Sequence, residues 1–329
     1  MKYYSATPGK VIISGEHAIV YGYPAIVTTI NKYAHIELYR KNFSDKKIRL
    51  DLKDYKLECT FDIQELALIK KEIKNRYEKF LTKKLKINQV LTNPTELILY
   101  TIQAFLEGTE KTFEHSVKFK IFSEIPIGCG LGSSAALIVN ILKVLNKYFN
   151  TNLNNEELYK IALECENLQH GKSSGGDVYT VLNNGCFKFH KNKIHELQDS
   201  KIKWQLINTG KPILSTGECV SFVAKRQKNT KVWNVFEKVT HAVEQSLINN
   251  NEVEFKNLIK ENHKLLNEIG VVTSKTKEFV KELEDYYNGS AKVCGAGCTK
   301  GEKNGVLLVI SDKNISKLIK KFDYELLSD

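Results

Sequence analysis

Apolar positions recur along this chain in two rhythms. Short alternating or unbroken runs predict strands at Val11-Ile12-Ile13, Ala25-Ile26-Val27, His35-Ile36-Glu37-Leu38-Tyr39 and Val117-Lys118-Phe119-Lys120-Ile121. Spacings of three and four predict helices. Leu66, Ile69, Ile73 and Phe80 share one face of a helix over 64–80. Leu158, Ile161, Ala162, Cys165 and Leu168 do the same for a helix that Asn154 caps and that runs to about 169. Between them an apolar helix is expected over 134–148. Asn93-Pro94-Thr95-Glu96 marks another helix start: Asn caps, Pro fits the first turn, and Glu can close a capping box. Polar residues at His190-Lys191-Asn192-Lys193 and Asp199-Ser200-Lys201 predict a division near 190–203. Beyond it the pattern predicts a strand at 204–208, helices near 231–248, 251–268 and 275–287, strands at 291–294 and 306–310, and a last helix over 313–322. This is an α+β chain in two domains, 1–195 and 196–329, which suits its 329 residues.

Composition narrows the class. A hydrophobic fraction of 42% and an aromatic fraction of 10% supply sizeable cores and exclude a disordered or collagen-like chain. The net charge of +11 points to an anionic partner, whether nucleic acid, anionic lipid or a phosphorylated metabolite, or simply to a solvated basic surface. The densest basic stretch, 70–86, has eight Lys/Arg and two Glu but only Tyr77 and Phe80 to stack on bases, so it reads as a solvated helix face and not a nucleic-acid patch. The seven cysteines form no CxxC pair and no zinc-finger spacing, as in a reducing, cytoplasmic setting. The first residues lack the apolar core of a signal peptide, and no apolar run approaches the ~18 residues of a membrane span.

Four segments carry candidate chemistry. Pro126-Ile127-Gly128-Cys129-Gly130-Leu131-Gly132-Ser133-Ser134-Ala135-Ala136 is a glycine-rich turn running into a helix, where free backbone N–H groups and the positive dipole end make a phosphate cradle. It is neither a Walker A loop nor GxGxxG. Glu166 and His170 share a helix face, and a Gly-rich turn then delivers Asp177. One carboxylate would suit a metal ion and the other a base or positioning role. Pro8-Gly9-Lys10 precedes an apolar strand ending at Gly15-Glu16-His17; Lys10 can neutralise phosphate, while Glu16 and His17 can bind a polar substrate. Lys292-Val293-Cys294-Gly295-Ala296-Gly297-Cys298 is a short glycine turn between strand-like segments.

Taken in order, Pro8-Gly9-Lys10 with Gly15-Glu16-His17-Ala18-Ile19-Val20-Tyr21-Gly22, the central glycine-rich motif and Gly295-Ala296-Gly297 closely resemble the GHMP small-molecule kinases, and the mevalonate kinases most of all. The resemblance implies a two-domain GHMP kinase fold: a ribosomal protein S5 domain 2-like N-terminal domain, a ferredoxin-like C-terminal domain, and an active site in the cleft between them. It implies transfer of the γ-phosphate of Mg·ATP to the 5-hydroxyl of mevalonate, with ATP and Mg²⁺ as cofactors, no nucleic-acid or membrane partner, and a homodimer within the family's range. Gly128, Cys129, Gly130, Leu131, Gly132, Ser133 and Ser134 would wrap the triphosphate. Ser134 and Glu166 would hold the metal, Asp177 would take the hydroxyl proton, and Lys10 would stabilise the transferring phosphate. Glu16, His17, Ser174 and Thr216 would line the substrate pocket, His17 meeting the mevalonate carboxylate.

Three departures from the family pattern bear on the substrate. Ser173 and Val178 replace the usual Pro and Asn around Asp177, Asn208-Thr209-Gly210-Lys211-Pro212-Ile213 lacks the usual Arg, and Lys300-Gly301-Glu302-Lys303 extends the C-terminal glycine loop. Lys172 and Lys211 beside the pocket would suit a substrate that already carries phosphate, so phosphomevalonate is the alternative acceptor. A non-catalytic basic binding protein on a kinase fold is a more distant third reading.

Overall fold

The structure, a computed structural model, describes residues 1–40, 45–191, 193–198, 200–226 and 231–328. Among these the strands are β1 (Lys2–Ser14), β2 (Ala25–Arg40), β3 (Lys47–Leu52), β4 (Leu57–Asp62), β5 (Val117–Ser123), β6 (Cys186–His190), β7 (Lys193–Leu197), β8 (Gln205–Asn208), β9 (Gly289–Val293), β10 (Val306–Ser311) and β11 (Glu325–Ser328). The helices are α1 (Leu66–Leu81), α2 (Pro94–Thr109), α3 (Ser133–Phe149), α4 (Asn155–His170), α5 (Gly176–Asn183), α6 (Thr216–Arg226), α7 (Lys231–Ile248), α8 (Glu252–Glu268), α9 (Ser274–Tyr287) and α10 (Ser316–Lys321). No helix among the described residues is long and apolar enough to cross a membrane.

The chain divides into two compact units. The first holds Met1–Gly9, Ile30–Ile125 and Gly132–Asn183; the second holds Lys10–Thr29, Pro126–Leu131 and Asn184–Asp329. In the first unit β4, β3, β5 and β2 lie side by side. β3 runs parallel to β5 with Leu50 opposite Phe119, and β2 runs antiparallel to β5 with Ile36 opposite Ile121. Alternation puts Ile36, Leu38, Ile48, Leu50 and Phe119 on one face, where α2 and α3 cover them with Phe105, Ile138 and Leu142, all fully buried or nearly so. Each such side chain contributes about 1.5–3 kcal/mol by leaving water.

Helix starts are encoded locally. Asn93 accepts from the Thr95 and Glu96 N–H groups at 3.0 and 3.2 Å. The Glu96 carboxylate reaches back one residue further than a capping box requires, to the Thr92 N–H at 2.7 Å. At α4 the exchange is reciprocal: Asn154 accepts from the Glu157 N–H at 3.1 Å and Glu157 accepts from the Asn154 N–H at 2.8 Å.

In the second unit the start of β2 pairs with β6, Val27 opposite Phe187, and β6 pairs with β7. A separate antiparallel sheet has the order β11-β8-β10-β9, with Leu308 between Leu206 and Lys292. Phe236, Phe255 and Phe279 from α7, α8 and α9 are fully buried in this unit. The expected domain boundary, 195/196, lies in β7, which pairs with β6; the change from the first unit to the second along this part of the chain falls between Asn183 and Asn184. Asn192 and Asp199 of the expected linker lie outside the described residues.

Candidate functional site

In the first unit the site grows from the start of α3. Gly132 stands before its first turn in the left-handed region, φ 69°, and offers no capping side chain. The first helical N–H groups therefore have no side-chain cap. Ser134 lies in that first turn and donates its hydroxyl to Glu166 Oε1 at 3.1 Å. Glu166 is 1% exposed, and its other oxygen, Oε2, is buried without a hydrogen-bond partner among the described residues. His170, one turn on along α4, places Nε2 3.2 Å from Glu166 Oε1. A buried carboxylate oxygen left without a donor is costly unless something else completes it.

Asp177, partly buried, sits in the first turn of α5 in the same unit. The turn that delivers it is built tightly. Gly175 has φ 77°, and a side chain there would collide with the Tyr159 hydroxyl. The Ser173 hydroxyl accepts from the Gly175 N–H at 3.1 Å, and the Ser173 N–H donates to Asn167 at 2.8 Å. Tyr77 donates to the Gly171 carbonyl at 2.6 Å, and the Phe80 ring packs on the same glycine. The basic helix α1 thus presents its two aromatics to this turn. Ser174, expected to touch substrate, is exposed and accepts from the Gly176 N–H at 3.4 Å.

In the second unit three motifs meet. The Lys10 N–H donates to the Leu131 carbonyl at 3.0 Å, which fixes β1 against the glycine-rich loop. The Val306 N–H donates to the Cys129 carbonyl at 3.1 Å, fixing the same loop to β10. Gly130, φ 91°, lies so close to the C-terminal glycine loop that a Cβ would stand 2.7 Å from the Cys294 carbonyl oxygen. The aliphatic stem of Lys211 lies over Gly128, and that of Lys303 over Gly210. Burial raises the Cys129 thiol, partly offset by Lys211 and Lys303. Its sulfur points at the Ile127 carbonyl, so this residue serves the loop through its backbone.

Glu16 and His17 depart from expectation. Glu16 is 1% exposed and ion-paired with Lys292, whose ammonium also donates to the Ile12 carbonyl at 2.9 Å. Asn262 donates to the second Glu16 oxygen at 3.3 Å and accepts from Ser14, which also bonds Thr240 at 2.8 Å. With both oxygens engaged, this carboxylate holds the strand end in place and is not open to substrate. The His17 Nε2 lies 3.0 Å from the Ala296 carbonyl, which can only accept, so Nε2 carries the proton. Burial lowers the His17 pKa to about 4, and the Ala296 bond only partly opposes this. The ring is neutral near pH 7 and offers an acceptor at Nδ1, not a cation for the mevalonate carboxylate. Thr216 opens α6 in an exposed position, with Ser215 and Glu218 capping that turn. Sequence reasoning singled out the Lys292 segment but missed its link to Glu16, and it missed Asn262 and Thr240, because no local motif joins these residues.

Residues 96–185 match the family model described as the GHMP kinases N terminal domain. A mevalonate kinase of Pyrococcus furiosus is 31% identical, with 90% of this chain and 87% of that protein covered. A mevalonate kinase of Methanocaldococcus jannaschii is 28% identical, with 97% and 95% covered. The crystal structure of the Methanococcus jannaschii mevalonate kinase superposes with a TM-score of 0.81 at 26% identity, covering 99% of this chain and 97% of that one. With the glycine-rich loop, the buried Glu166 carboxylate and a matching architecture over nearly the full length, this chain belongs to the mevalonate kinase family of GHMP kinases and is a kinase acting on a hydroxyl group.

Proposed function

We propose that the chain transfers the γ-phosphoryl group of ATP to the 5-hydroxyl of mevalonate. The observation that carries the reading is the bond from Ser134, in the first turn of α3, to Glu166 of α4, whose Oε2 is buried and without a hydrogen-bond partner among the described residues. The names of the relatives supply the acceptor.

The oxygen donors of Ser134 and Glu166 suit a hard divalent cation, and the orphaned Glu166 oxygen is the place a Mg²⁺ ion would be held. When bound, that ion would neutralise charge on the nucleotide phosphates. The remaining work falls to the chain. The glycine-rich loop and the first turn of α3 direct N–H groups at the triphosphate. Lys10 supplies positive charge to the transferring phosphoryl group, and Lys211 and Lys303 add to it from the loop side. Asp177 accepts the proton of the substrate hydroxyl as the oxygen–phosphorus bond forms and the bond from the γ-phosphorus to the β,γ-bridging oxygen breaks, leaving ADP. Glu16 acts through Lys292 and the strand end, and Ser174 through its turn. His17 accepts a substrate hydroxyl at Nδ1, and Thr216 stands at the head of α6 as a further hydroxyl for the substrate. The seven cysteines, none of them in a disulfide, suit a reducing cytoplasm.

A coupled ATP assay with mevalonate and phosphomevalonate side by side tests the acceptor; turnover of phosphomevalonate alone would overturn it. Asp177→Asn should lower kcat by about 10²–10⁴-fold with ATP binding retained. Wild-type turnover in that variant would remove Asp177 from its role.

A further inference from the structure

The second unit holds a donor cluster that the kinase reaction does not use. Residues 188 and 190 of β6 point to one side of the strand, as the period of two requires. Glu237, His241 and Glu244 lie at i, i+4 and i+7 on α7 and so share one helix face. The two faces meet. His190 Nε2 lies 3.7 Å from Glu237 Oε1, His241 Nε2 lies 4.0 Å from the same oxygen, and all three donor atoms fall within 4.8 Å of one another. The buried Nε2 of His190 makes no hydrogen bond among the described residues, although it points at two other donor groups.

We propose that His190, Glu237 and His241 bind one divalent transition-metal ion of the zinc class, clamping β6 to α7. With metal–ligand bonds of about 2.0–2.2 Å, the ligand atoms of a tetrahedral zinc site stand roughly 3.4 Å apart. The present separations need only a small contraction. Two imidazoles and a carboxylate select zinc, cobalt or nickel over magnesium or calcium, whose sites are built from oxygen. Three protein ligands leave the fourth position to water.

The surroundings fit this assignment. His241 Nδ1 lies 3.5 Å from Glu244 Oε2, the carboxylate-to-histidine arrangement that orients a ligating ring. Lys188 Nζ lies 3.1 Å from the same Nδ1 and 2.5 Å from Glu244. Without metal, Lys188 donates to Nδ1. Ligation through Nε2 moves the ring proton to Nδ1, which then donates to Glu244, while Lys188 keeps its bond to Glu244. Burial and the neighbouring Lys191 hold His190 towards its neutral form, the form that ligates, against the pull of Glu237. The site is distinct in chemistry from the Ser134–Glu166 pair, which offers only oxygen.

The test is equilibrium dialysis of chelator-treated, nucleotide-free protein against Zn²⁺, with Co²⁺ substitution read in the visible. Wild type should bind one equivalent with nitrogen–oxygen ligand-field bands and no sulfur charge transfer. His190→Gln/His241→Gln should weaken Zn²⁺ binding by more than 100-fold, and Glu244→Gln by about 10–100-fold, with far-UV circular dichroism and mevalonate turnover retained. Sulfur charge transfer would place the ion on cysteines. That result, equal Zn²⁺ binding by wild type and the double variant, or no saturable binding to wild type, overturns the proposal. The Co²⁺ spectrum of wild type decides the matter even if the double variant does not fold.

Discussion

Replacing Lys292 by Met probes how the first motif is held. Lys292 and Glu16 expose none of their side-chain surface, so their pairing is fully desolvated. The substitution keeps an unbranched stem of similar length and removes the charge. It leaves the Glu16 carboxylate with one neutral donor, Asn262 at 3.3 Å, and deprives the Ile12 carbonyl of its bond from the ammonium at 2.9 Å. Breaking a buried pair by removing one partner costs about 3–5 kcal/mol, because the remaining charge cannot regain its water. For 329 residues, at about 2.1 cal/mol/K of unfolding entropy per residue, that corresponds to a fall in Tm of roughly 4–7 °C. Removing both charges has a different effect. In Glu16→Gln/Lys292→Met the uncompensated charge is gone, and the double variant should be more stable than Lys292→Met alone. Urea unfolding followed by circular dichroism at all four corners of the cycle measures the coupling. A loss below about 1 kcal/mol in Lys292→Met, or additive single effects, would refute the reasoning.

Further outcomes follow from the same contacts. Gly130→Ala places a methyl 2.7 Å from the Cys294 carbonyl at φ 91°. It should cost about 1–3 kcal/mol of backbone strain and raise the ATP Kd at least tenfold by titration calorimetry; unchanged affinity contradicts the loop's fit. Asn93→Ala removes the acceptor of two N–H groups and should cost about 1 kcal/mol in a urea melt, while Asn93→Asp stays near wild type. Burial lowers both His17 and His263 to about 4, His263 also through Lys277 and Lys292. The unfolded chain binds these protons near pH 6.5 and the folded chain does not. Stability is therefore full above about pH 6.5 and falls as pH drops towards 4, by about 1.4 kcal/mol per unit for each ring. His263→Gln should halve that part of the slope between pH 6 and 5, and an unchanged slope would count against the buried neutral ring.

How much of this was legible in the sequence depends on the range over which each signal acts. Caps act over three residues, so Asn93 and Asn154 marked α2 and α4 nearly to the residue. The runs at 25–27 and 35–39 were each legible as strand, but the polar Thr29, Asn31 and Lys32 between them hid that they form one strand, β2. The hairpin of β3 and β4 went unread although Ile48, Leu50 and Leu52 alternate plainly. α5 went unread beyond the glycine-rich turn that leads into it, because Gly175 and Gly176 argue against a helix start that tertiary packing then supplies. The candidate site divides in the same way. Ser134 and the glycine loop lie in a motif that reads as a phosphate cradle, whereas Glu166 shows from spacing only a helix face shared with His170. Glu16 also lies in a motif, yet what it does is decided by Lys292, 276 positions away. A motif therefore says that a carboxylate is needed at a position, and only the fold says whether its oxygens face a substrate or a lysine. For Glu16 the buried ammonium takes one oxygen and Asn262 the other, so the second residue of Gly-Glu-His supports the strand end from behind. His17, the third, keeps a neutral ring nitrogen to offer.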